Sequence, residues 1–179
     1  TEEEVVLLFL PGARFPAGAS LPSGYPFEYI GHQDQTWDTV GALVASSCAG
    51  KITPLPDISA SHRRLWFLMQ KTSSNARLAV CGFYGPPGGD ASFFTDMADE
   101  ARAVAALHGP VDFVAVGDSN VHLTCLVSHV QPCHCRHCKQ PSQDKAAEKI
   151  LVDLGWTCVN PLNTPTHSSG TTIDIALTT

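Results

Sequence analysis

The sequence predicts an α/β fold built on β-sheet, with antiparallel hairpins mixed among strand–helix–strand units. Three observations carry this. The apolar runs "RLWFLMQ" (64–70) and "RLAVCGFYG" (77–85) are separated by the polar turn "KTSSNA", the pattern of a hairpin. From residue 92 the apolar period changes, and Phe93, Phe94, Met97, Ala98, Ala101, Val104 and Ala105 recur at helical spacing. Directly after that comes "VDFVAV" (111–116), short and apolar like a buried strand. Neither all-α nor all-β architecture accommodates this order.

The remaining elements follow along the chain. "VVLLFL" (5–10) is continuous and apolar, so it is expected as a fully buried strand. The Pro-, Gly- and Ser-rich stretch 11–26 is a loop. "FEYIG" and "TVGALVAS" are strands. Asp90 or Ser92 can cap the start of the helix that begins near 92, and Gly109-Pro110 stops it. A second helix fits 143–154, with Ala146, Ala147, Ile150, Leu151 and Leu154 on one face, Ser142 as cap and Gly155 just past its end. "TCVN" and "TTIDIALT" are strands, the latter after the turn "HSSG". The sum is seven or eight strands and two or three helices. Trp37, Trp66 and Trp156 are core or rim aromatics. Arg63-Arg64 is a solvated strand start, with contact to a phosphate backbone as the alternative.

Bulk properties narrow the function classes. A chain of 179 residues is one domain by default and can bury a sizeable core. At 44% hydrophobic and 16% charged residues it has a globular balance, which excludes a disordered chain. No apolar run approaches the roughly 18 residues of a membrane span, and no signal peptide is visible. The net charge of -6 argues against a purely electrostatic clamp on nucleic acid. It leaves room for an enzyme that holds one phosphate group with a metal ion. Seven cysteines is an odd number, and three crowd into "CHCRHC", unlike a secreted disulfide framework. The expected compartment is therefore reducing and intracellular, nucleus or cytoplasm. The chain begins with Thr and ends inside a strand-like pattern, so it is expected to be a piece of something longer.

The residues with chemical potential sit at strand ends. In "AVGDSNVHL" (115–123) an apolar strand delivers Asp118, then Asn120, then His122. An ionised carboxylate is costly to bury unless paired or bound to a metal, and α/β sheets place ligand sites at the carboxyl ends of strands. Residues two apart in an extended chain point the same way, so the three are expected to face one pocket. The plain alternative is an Asx turn. Asp174 lies between two isoleucines in "TTIDIALT", on the face opposite Ile173, Ile175 and Leu177 and shared with Thr172 and Ala176. Its plain alternative is a solvated outer face. Tyr84 ends a strand before "GPPGG" and can donate its hydroxyl to an anion, or be a half-buried aromatic with one hydrogen bond. Thr166 and His167 flank the turn before Asp174 and are placed to line the same cleft.

Taken in order, "CGFYGPPGG", an amphipathic helix, "FVAVGDSNVHL" and "PTHSSGTTIDIAL" resemble the endonuclease/exonuclease/phosphatase superfamily, which has the DNase-I-like fold. The wording is most similar to the apurinic-type endonuclease domain of non-LTR retrotransposons, over roughly residues 5–179. The resemblance implies a sandwich of two mixed β-sheets flanked by helices, truncated here at both ends. It implies a phosphodiesterase dependent on Mg²⁺ or Mn²⁺, with DNA as substrate and a larger polyprotein carrying a reverse transcriptase as context. By the same resemblance Asp118 activates or orients the attacking water and is the metal-site acid. Asn120 holds the scissile phosphate or a metal-bound water, Tyr84 donates to a phosphate oxygen, and Asp174 orients a histidine. His122 and Thr166 are the further substrate-binding candidates. The chain departs from the family at "LLFLPGARF", where a metal-binding glutamate is the usual residue and no acid stands. That departure keeps two alternatives open: an inactive domain of the same fold used for binding, and a phosphatase or lipid phosphodiesterase of the same superfamily.

A Cys/His-rich insertion spans about 123–141. Cys133, Cys135 and Cys138 can supply three thiolates to a structural Zn²⁺, with His129 as a fourth ligand and Cys125, His134 or His137 as alternatives. A loop of free thiols and imidazoles is the other reading. Any zinc there is distinct from the phosphodiester metal, since soft thiolates suit zinc and Mg²⁺ wants oxygens.

Overall fold

The computed structural model describes residues 7–12, 20–31, 39–48, 50–59, 61–70, 76–86, 91–120, 149–150, 152–160 and 174–179. Among them two β-sheets pack face to face, with a helix on the outer side of the larger one. The smaller sheet has β1 (Leu7–Pro11), β2 (Phe27–Gly31) and β3 (Val40–Ala45) in the order β1-β3-β2, antiparallel throughout. The larger has β4 (Ile52–Pro54), β5 (Arg64–Gln70), β6 (Arg77–Tyr84), β7 (Asp112–Asp118), β8 (Thr157–Cys158) and β9 (Asp174–Thr178). Its order is β4-β5-β6-β7-β9-β8. Among the described strands only β6 and β7 run parallel, joined by the crossover helix α1 (Ala91–His108). This is the DNase-I-like α/β sandwich expected from the sequence.

Alternation along the central strands divides them between two cores. Ala79, Cys81, Phe83, Phe113, Ala115, Ile175 and Leu177 pack with Phe94, Met97, Ala101 and Val104 of α1. Leu65 and Phe67 turn the other way and pack against Val40, Ala42 and Val44 of the smaller sheet, with Phe9 and Tyr84 at the margin. Period two in the strands and period 3.6 in the helix thus meet on the same surface. The close approach of the sheets explains Gly82: a Cβ there would run into the Phe9 ring. Gly109, at φ 78°, ends α1 in the left-handed conformation, and its N–H donates to Ala105 O at 2.9 Å.

Several expectations need correction. Among the described residues β1 is an edge strand, half-exposed rather than fully buried, and Leu8 is 51% exposed. A three-stranded sheet leaves its outer strands unshielded, which an apolar run alone does not reveal. Arg64 is no solvated strand start. It is 4% exposed, and its Nε donates to Glu100 Oε2 at 2.8 Å. Trp66 Nε1 donates to the same oxygen at 2.9 Å, and the guanidinium also donates to Phe93 O and lies over the Phe93 ring. This buried ion pair ties α1 to β5. The "TCVN" strand stops after Cys158. The helix expected at 143–154 lies partly outside the described residues; 149, 150, 152 and 153 are helical, and Gly155 follows at φ 65°. Trp66 and Trp156 are core residues, and Trp37 lies outside the described residues.

Candidate functional site

The register of three strands brings distant acids together. Tyr84 of β6 is the partner of Asp118 of β7, and Asp118 is the partner of Asp174 of β9. The three residues form one row across adjacent strands. Ile175, Leu177, Phe113, Ala115 and Phe83 all face α1, so the row points to the opposite face, toward the smaller sheet. It lies at the carboxyl ends of β6 and β7. The starts of β3 and β5 share this end, since Val40 N–H donates to His62 O at 3.0 Å and Tyr84 N–H to Arg63 O at 2.9 Å. So do the ends of β1 and β2, through the pairs Pro11–Val40 and Gly31–Gly41.

Hydrogen bonding sets how near the two acids are. Ala176 directs both its N–H and its C=O away from β7, to Asn160 Oδ1 and from Val159 N. Asp174, two residues earlier, also directs its C=O outward, to Asn160 Nδ2. Asp118 directs its own C=O to Gly85 N–H on the β6 side. Asp118 and Asp174 are therefore a non-hydrogen-bonded antiparallel pair, the kind with Cα atoms about 4.5 Å apart and the closer side chains. Directly opposed like charges destabilise a sheet. Asp118 Oδ1 is in turn held by the Asn120 N–H at 2.8 Å. Asp118 is half-buried and Asp174 exposed.

Asn120 joins the row by a route other than the one expected. Strand alternation does not reach it, because its φ is 50°, in the left-handed region that Asn tolerates. Its backbone N–H donates to Asp118 Oδ1 at 2.8 Å, an Asx turn, and its Nδ2 donates to Gly85 O at 2.7 Å. The turn reading and the site reading are thus the same structure: the turn is what folds the amide back over the strand ends. Gly85 is required there, since a Cβ would collide with the Ser119 carbonyl. Arg63 places its guanidinium 5.9 Å from the centre of the Tyr84 ring.

His122, Thr166 and the proposed zinc ligands His129, Cys133, Cys135 and Cys138 lie outside the described residues. Among the described residues no group of three His, Cys, Asp or Glu side chains is placed to hold a metal ion, and β1 runs into Pro11 and Gly12 without an acid. The two opposed carboxylates are nonetheless hard-oxygen donors of the kind Mg²⁺ takes while keeping several waters. They fit such an ion in kind. An open cavity of about 130 Å³ between Ile30, Leu55 and Trp66 includes no member of the row in its lining. Sequence reasoning missed Asn160, whose amide brackets Asp174 and Ala176. The only signal was an Asn ending a strand-like run.

The fold defines a class of architecture, the DNase-I-like α/β sandwich. No family model and no curated protein matches the chain. Solved structures do. The endonuclease domain of TRAS1, a telomere-specific non-LTR retrotransposon, matches with TM-score 0.61 at 14% identity, over 85% of this chain and 64% of that one. The AP endonuclease LMAP from Leishmania major matches with TM-score 0.71 at 12% identity, over 96% of this chain and 69% of that one. An endonuclease/exonuclease/phosphatase family protein from Bacteroides thetaiotaomicron matches with TM-score 0.50 at 11% identity, over 86% of this chain and 60% of that one. The chain thus spans less than two thirds of the TRAS1 domain. At these identities the likeness is one of fold, and none of the matches singles out the retrotransposon endonuclease.

Proposed function

We propose that the chain is the endonuclease-type domain of a retroelement polyprotein, a divalent-metal phosphodiesterase acting on DNA. The observation that carries the reading is the row Tyr84–Asp118–Asp174, with two acids in a close pair at the strand ends. Asp118 would hold Mg²⁺ or Mn²⁺, with Asp174 beside the hydrated ion and, as the family resemblance implies, orienting a histidine. The ion, when bound, offsets the extra negative charge of the pentacoordinate phosphate. The chain's own groups do the rest. Asp118 orients the attacking water and accepts its proton. The Tyr84 hydroxyl donates to a non-bridging phosphate oxygen. Asn120 uses one amide N–H on Gly85 O and has a second for the phosphate. His122 and Thr166 are substrate-side candidates. The whole chain is read as one domain. The Cys/His-rich segment at about 123–141 remains a candidate for a structural Zn²⁺, and a reverse transcriptase is the proposed neighbour in the polyprotein.

Nicking of supercoiled plasmid with Mg²⁺ tests the reading, on this chain and on a version with flanking sequence at both ends. Cleavage that Asp118→Ala abolishes supports it. Silence in both versions favours the second reading, an inactive domain used for binding. The absence of an acid at Pro11–Gly12 is the observation behind that alternative.

A further inference from the structure

β8 has only two residues, paired as Thr157–Thr178 and Cys158–Leu177. Val159 N–H extends the ladder by one bond to Ala176 O, at 2.9 Å. Among the described residues the backbone pairing on the outer edge of β9 ends there. The next two outward-facing groups of β9 are Ala176 N–H and Asp174 C=O, and both are taken by one side chain. Asn160 Oδ1 accepts from Ala176 N at 2.6 Å, and Asn160 Nδ2 donates to Asp174 O at 2.9 Å. A carboxamide has the same coplanar donor and acceptor as a peptide, so Asn160 acts as one more peptide of the short strand. Cys158 Sγ donates to the same Oδ1 at 3.4 Å and holds the amide from behind. The inner edge of β9 at this point carries the non-hydrogen-bonded pair of Asp174 with Asp118.

We propose that Asn160 is a positioning residue for Asp174: its amide fixes the start of β9, and so the distance between the two acids of the row. The inference rests on the reading of Asp118 and Asp174 as a reacting pair. An Asn serving only to cover a sheet edge would have no effect on turnover, and that difference is measurable.

Three variants separate the cases. Asn160→Ala removes both bonds. Asn160→Asp keeps the acceptor for Ala176 N–H and loses the donor to Asp174 C=O. Thr157→Ala, on exposed β8, is the control. In Asn160→Ala the Ala176 amide exchanges about tenfold faster, and kcat for DNA cleavage falls about 10–100-fold while KM stays within about twofold. Asn160→Asp restores the Ala176 protection but not kcat. Thr157→Ala leaves kcat and the Ala176 amide unchanged. Wild-type kcat in Asn160→Ala, with raised exchange at Ala176, overturns the proposal. If the wild-type protein does not cleave even with flanking sequence at both ends, the reading of the site fails. Asn160 is then judged by the Asp174 carboxyl ¹³C resonance alone: a shift in Asn160→Ala and none in Thr157→Ala supports it, and an unmoved resonance overturns it.

Discussion

Replacing Asp174 by Asn should make the protein more stable without metal and less stable with it. The two acids are directly opposed across β7 and β9, in the pair type with Cα atoms about 4.5 Å apart. Coulomb's law puts the repulsion of two unit charges about 4 Å apart at about 4 kcal/mol for an effective dielectric of 20. Asp174 is exposed and Asp118 half-buried, so water screens much of that. Measured cross-strand pairs lie at about 0.2–1 kcal/mol, and the upper end fits a half-buried partner. Asp174→Asn therefore gains close to 1 kcal/mol in EDTA, a rise in Tm of about 2–4 °C for a chain of this size. On the proposed reading Mg²⁺ should reverse the order. At a free concentration about 100 times its Kd it stabilises the wild type by about 2.7 kcal/mol, and the variant, lacking one carboxylate, gains much less. Thermal unfolding followed by circular dichroism, in EDTA and in Mg²⁺, reads both effects. The EDTA gap should also narrow as NaCl rises, because salt screens exposed charge. A variant less stable than wild type in EDTA, with equal Mg²⁺ shifts for both proteins, would refute the reasoning.

Two further predictions concern the core. Glu100→Ala leaves the Arg64 guanidinium and the Trp66 indole N–H buried without their common acceptor. It should cost about 3–5 kcal/mol in urea unfolding, whereas the double change Arg64→Met with Glu100→Leu should recover most of that. The Cys81 thiol is pushed well above its usual range by burial first and by the Glu100 charge second. Its folded pKa exceeds the unfolded one, so the protonated thiol's contribution to stability is complete below about pH 8.5 and is lost as pH rises through the folded value. The stability difference between wild type and Cys81→Ala should thus shrink in alkaline buffer, and native Cys81 should resist alkylation at neutral pH by mass spectrometry. Rapid labelling of Cys81 in the native protein would contradict this.

What the sequence disclosed follows from which signals are local. The 64–70/77–85 hairpin, α1 and the strand before Asp118 were legible because period and turn chemistry act over neighbouring residues. Tyr84, Asp118 and Asp174 stood out individually as polar residues at the ends of apolar runs. Their meeting at one site is implied by the family resemblance alone: register is a property of the assembled sheet, and residue 174 reaches residue 118 through pairing across 56 positions of chain. A strand-initial arginine such as Arg64 looks solvated in sequence until the partner carboxylate, Glu100 on α1, is brought over it. β1 looked buried because an apolar run does not tell how many strands its sheet has. Asn160 was illegible because its amide substitutes for backbone, and backbone partners have no side-chain signature.

The most direct test of the central claim is the rate of Mg²⁺-dependent cleavage of a labelled DNA duplex by wild type, Tyr84→Phe, Asp118→Asn and Asp174→Asn, each first shown to be folded. The account predicts cleavage by the wild-type domain, supplied with flanking sequence if needed. It predicts losses of about 10²–10³-fold for the tyrosine hydroxyl and at least as large for either acid. Equal rates across the four proteins, or cleavage that persists in EDTA, would contradict it.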